Sequence, residues 1–144
     1  MGLDISADQA AILAKIESYP TAVYETIPDD SALQLLPNGQ IKPFLVVTFG
    51  PFTAFATDLT WMPENYQPQS TFVIVTAFAA DKGTARSVMN FTTAQLVGYS
   101  PSANCTALIA GTGRGYTVDA QNSPTRYAVE QVFRFSVNMA SQTA

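Results

Sequence analysis

The sequence predicts one α+β domain, a mostly antiparallel or mixed sheet of about four to five strands packed with two main helices. Three observations carry that expectation. An apolar run from Phe72 to Ala80, interrupted only by Thr76, leads straight into a capped helical pattern over 81–97. A stretch from Arg126 to Met139 alternates with period two, and Ser6 to Tyr19 repeats with helical spacing. At 144 residues and 47% hydrophobic, the chain has room for one real core and not for two comfortable ones.

In chain order, Ser6 with Gln9 three residues on reads as a capping box, and Ile12, Leu13, Ile16 and Tyr19 trace one face until Pro20 stops the helix. Thr21 to Ile27 is short and β-prone and ends at Pro28-Asp29-Asp30, while Ser31 to Leu36 fits either a helical turn or a strand end. Pro37-Asn38-Gly39 is a turn signal leading into the strand Ile41–Phe49, whose Pro43 puts the strand's start at an edge or bulge. Residues 51–69 hold Pro51, Pro63 and Pro68 and follow no period, so they read as an extended loop; yet they carry Phe52, Phe55, Trp61, Met62 and Tyr66. Such a loop either folds back over its own core or docks on a partner.

The run Phe72–Ala80 reads as a central strand covered on both faces. Asp81 caps the following helix, whose Ala85, Val88, Met89, Thr92 and Leu96 form the inward stripe. Gly98 suits a left-handed C′ position, and Pro101 prevents resumption. Ala107–Ala110 and Tyr116–Asp119 are short strand candidates. The glycines at 111, 113 and 115 between them lack the GK[ST] of a phosphate loop and read as a turn. On the closing strand, Tyr127, Val129, Phe133, Phe135, Val137 and Met139 share a face, and Arg126, Glu130, Arg134, Ser136 and Asn138 share the wet or neighbour-paired one. The tail from Ala140 is expected to fray.

Composition narrows function. Only 12% of residues are charged against 11% aromatic, so much of the nominal surface is expected to be interface. The net charge is −4 and the seven basic residues, at 15, 42, 82, 86, 114, 126 and 134, are scattered, which disfavours sequence-specific nucleic-acid binding. With no histidine and one cysteine, Cys105, neither a catalytic constellation, a metal site, a cofactor site nor an internal disulfide is expected. Asp29-Asp30 after a proline reads as a solvated turn rather than a carboxylate pair doing chemistry. No stretch approaches membrane-spanning length, and the expected setting is a reducing cytosol.

The opening KIESYPTAVYETIP, the strand IKPFLVVTFGP, the joint VIVTAFAADKGTARSVMNFTTAQLVGY and the closing RYAVEQVFRFSVNM together resemble the tail terminator proteins of long-tailed bacteriophages over essentially the whole chain. None of these segments is a catalytic or ligand motif. The resemblance implies a virion structural protein, assembled in the host cytoplasm as a homohexameric ring. Such a ring caps the tail tube protein, stops polymerisation, and offers its other side to the head–tail connector while DNA passes through the lumen. Interface candidates are Phe52, Phe55, Trp61, Met62 and Tyr66 in the loop and Arg126, Glu130 and Arg134 on the closing strand. Another neck or head-completion component is the alternative. A small ligand-binding domain or enzyme is a third reading, for which Arg86, Arg114, Tyr116 and Asp119 would line the pocket.

Overall fold

A computed structural model describes residues 6–17, 22–28, 33–50, 53–54, 68–103, 105–111, 114–119 and 126–138. In order they form α1 (Ser6–Glu17), β1 (Ala22–Tyr24), β2 (Phe44–Phe49), β3 (Thr53–Ala54), β4 (Pro68–Ala79), α2 (Lys82–Leu96), β5 (Ile109–Ala110), β6 (Arg114–Asp119) and β7 (Arg126–Asn138). The sheet runs β1-β2-β4-β7-β5, with β3 paired to β4 and β6 to β7. Among the described strands only the β1–β2 pair is parallel, so the sheet is mixed and the fold α+β as the sequence predicts.

β4 is the centre because its β-branched and aromatic run can pair on both edges at once. It runs antiparallel to β2 from Phe44↔Phe78 to Phe49↔Val73, and to β7 from Pro68↔Asn138 to Ala79↔Tyr127. Alternation then sorts its side chains. Val73, Val75, Ala77 and Ala79 are fully buried on the inner face, where α1 and α2 lie. Ile12 and Ile16 of α1, Met89 and Leu96 of α2, Leu45, Val47, Phe133, Phe135, Cys105 and Leu108 complete that core. Full burial of each large apolar side chain contributes about 1.5–3 kcal/mol, which explains why the helices need no strong propensity of their own.

The outer face differs from expectation. Phe72, Ile74, Thr76 and Phe78 are only half-buried. One end of that face is closed by a second cluster of Leu33, Ile41, Phe44 and Val46, in which Phe44 stacks on Phe78 at 4.8 Å and meets Tyr24 edge-on at 5.7 Å. Leu33 and Ile41 reach it through a small hairpin whose turn is Pro37-Asn38-Gly39: Gly39 takes φ +85, Asn38 Oδ1 accepts from Gln40 N at 3.0 Å, and Leu35 bridges Ile41. Of the unclassified stretch 31–36, the described residues 33–36 are therefore one arm of a hairpin.

Two further expectations are corrected. β2 begins after Pro43 and lies between β1 and β4, so it is neither an edge strand nor bulged; the proline stands just outside the ladder and removes no bond from it. The expected loop 51–69 is shorter at both ends, since Thr53↔Ser70 and Ala54↔Gln69 extend the pairing and β4 starts at Pro68, where a first-residue proline costs no ladder bond. Phe52 and residues 55–67, Asp29-Asp30 and the tail from Ala140 lie outside the described residues.

α2 begins and ends as its sequence dictates. Asp81 accepts hydrogen bonds from Thr84 N at 2.8 Å and Thr84 Oγ1 at 2.9 Å, and these hold its carboxyl below the usual aspartate range. Gly98 takes φ +87 and donates its N–H to Leu108 O at 2.9 Å, turning the chain back under the helix. The buried Thr92 satisfies its hydroxyl on Val88 O at 2.9 Å.

Candidate functional site

Beyond the outer cluster, the three long strands leave a hollow of about 260 Å³. Val46 and Thr48 from β2 and Ile74, Thr76 and Phe78 from β4 line it, with Glu130 from β7 and Glu25-Thr26-Ile27 after β1. The lining is apolar with a carboxylate at two places, and Ile27 is 67% exposed beside it. These residues come together because positions of equal parity on antiparallel strands share a face: Val46 pairs with Thr76, Thr48 with Ile74 and Thr76 with Glu130. The hollow was hidden in the sequence, since a continuous apolar run reads as covered on both faces. The usable signal was Thr76 and Glu130 standing among the outward positions.

Of the predicted interface residues, Phe52, Phe55, Trp61, Met62 and Tyr66 lie outside the described residues. The three on β7 differ in exposure. Glu130 is half-buried at the hollow, between Thr76 and Arg114 in register. Arg134 is exposed, its guanidinium 6.0 Å from the Phe72 ring centroid. Arg126, expected on the wet or partner-facing side, is only 3% exposed and interacts within the chain; it faces Asp119 of β6 in register at the strand's end. A guanidinium so buried has to be satisfied within the chain.

Arg114, Tyr116 and Asp119 share β6, whereas Arg86 stands exposed on α2. Cys105 is buried, and burial first of all pushes its thiol up, away from the thiolate that nucleophilic chemistry needs. Among the described residues no group of three or more His, Cys, Asp and Glu is placed to hold a metal ion, and no helix is long and apolar enough to cross a membrane. The open face presents apolar side chains with the carboxylates of Glu25 and Glu130 beside them.

No protein-family model and no curated protein matches the sequence. The fold does have a solved counterpart. It is similar to a chain in the virion of a native gene transfer agent particle, with a TM-score of 0.56 and 19% identity, over 90% of this chain and 93% of that one. At that identity the likeness is one of fold, and it spans nearly all of both chains.

Proposed function

We propose that this chain is a virion structural protein that acts as a tail terminator, a ring of six copies closing the end of a tail tube and joining it to the head–tail connector. The observation that carries this reading is the fold likeness to a chain of a virion, over 90% of this chain and 93% of that one. The low charge and the half-open apolar sheet face support it, since both fit a protein that spends its working life against neighbours. On this reading the protein is not an enzyme, takes no cofactor, and belongs to the tail or neck of the particle. The segment 51–69, with Trp61 at its middle, is the docking element, and the lumen is acidic or neutral so that DNA slides without sticking.

Solution mass tests the ring. Light scattering is expected to give six copies of a 15.4 kDa chain, about 92 kDa, either alone or in necks released from particles. A monomer in both preparations would contradict the proposal.

A further inference from the structure

We infer that Asn38 is a site of spontaneous modification, losing its side-chain amide through a cyclic imide formed with the Gly39 nitrogen, at a rate set by one hydrogen bond of the turn. Asparagine is a chemically labile side chain, and Asn38-Gly39 is the chain's one Asn-Gly pair. Asn38, Gly39 and Gln40 are all exposed. Nothing stands within 4 Å of where a Cβ on Gly39 would be, so base and water reach both reacting groups.

The turn prepares one reacting group and restrains the other. Asn38 Oδ1 accepts from Gln40 N at 3.0 Å, and Asn38 Nδ2 donates to Gln40 Oε1 at 3.1 Å. These bonds hold the carboxamide along the Gly39 peptide and set an N–H donor on the oxygen where negative charge develops during attack. The attacking nitrogen is tied, because Gly39 N donates to Leu36 O at 2.9 Å. That bond opens before base can take the Gly39 proton. Gly39 N then bonds to Asn38 Cγ, the Cγ–Nδ2 bond breaks, and the side-chain nitrogen leaves as ammonia with its added proton drawn from water. Water next opens the imide at either carbonyl. One product is aspartate; the other is isoaspartate, whose backbone runs through the side chain and is one methylene longer. Each event thus consumes one water and releases one ammonia. The hairpin arms carry Leu33 and Ile41 into the outer cluster, and they are held by Leu36 N to Gln40 O at 2.7 Å and Lys42 N to Gln34 O at 2.9 Å, a pairing that an added methylene puts out of register.

The purified chain, held at mildly alkaline pH either folded or in urea and followed by mass spectrometry of its peptides, tests this. In the folded chain Asn38 is expected to convert, while Asn90, inside α2 and followed by Phe91, keeps its amide. In urea Asn38 converts roughly two- to tenfold faster, the factor that one hydrogen bond is worth. Asn38→Gln, which would have to close a larger ring, keeps its amide in both conditions. Chains carrying isoaspartate, separated from the parent, unfold at lower urea. An Asn38 that stays intact in the folded chain while the chain in urea converts completely would overturn the inference. So would equal rates in the two conditions, or an isoaspartate chain that unfolds at the parent's urea concentration.

Discussion

Replacing Gly50 with alanine probes the packing at the far end of the open sheet face, and its sign depends on a single neighbour. Gly50 donates its N–H to Phe72 O at 2.8 Å, its carbonyl accepts from Thr71 Oγ1 at 3.0 Å, and the Phe72 ring occupies the space an added Cβ would need. The obstacle is the far end of a side chain on a half-buried face, so the ring swings aside instead of the backbone breaking. In doing so it leaves Arg134, a loss of about 0.5–1 kcal/mol for an exposed cation–π contact. It also gives up part of its burial, on the order of 1 kcal/mol. Against this, removing a glycine restrains the unfolded chain and stabilises by about 0.4–1 kcal/mol. The expected net effect of Gly50→Ala is a destabilisation of about 1 kcal/mol, as a lower urea midpoint at unchanged slope. In a Phe72→Ala background the same change meets no ring and becomes stabilising by about 0.5 kcal/mol. The two backgrounds then differ by an interaction energy on the order of 1–2 kcal/mol. Equal effects in both would show that Phe72 does not pack on Gly50, and the description of this end of the sheet would be wrong.

Other expectations follow from particular residues. The Asp81 carboxyl is depressed by its bonds to Thr84, so its contribution is present above the ordinary aspartate range and lost as pH falls through the folded value. Melting temperatures over about pH 2 to 6 should therefore fall more steeply for the parent than for Asp81→Asn, which keeps the cap acceptor without the titration. Gly98→Ala forces an L-residue to φ +87 and should lower stability by about 1–2 kcal/mol in urea unfolding; no loss would refute the left-handed turn. Trp61→Ala should leave cooperative melting intact and weaken ring closure or tube capping by about 2 kcal/mol or more. A loss of about 3–5 kcal/mol in the isolated chain would instead make it ordinary core.

Where local chemistry and tertiary packing agree, the fold was legible. The α2 stripe, its Asp81 and Gly98 ends, the central position of β4 and the alternation of β7 all follow from spacing and caps that act over a few residues. Long-range pairing was not legible. That Thr53-Ala54 should pair with Gln69-Ser70, or that Pro68 should open a strand, is decided by β7 extending to Asn138 alongside, a partner some seventy residues distant. Burial of Arg126 was missed for the same reason: strand parity assigns a face, but not what lies over its end. The hollow escaped because an apolar run has no mark to separate a covered face from one awaiting a neighbour.

The central claim, that this chain ends tail growth, is tested most directly by tail length. Particles produced from a genome carrying this gene are imaged by electron microscopy with the gene intact and with it silenced. Termination by this chain predicts overlong, unjoined tails and heads without tails when it is absent, with normal lengths restored by supplying the chain in trans. Tails of normal length, joined to heads in its absence, would contradict it.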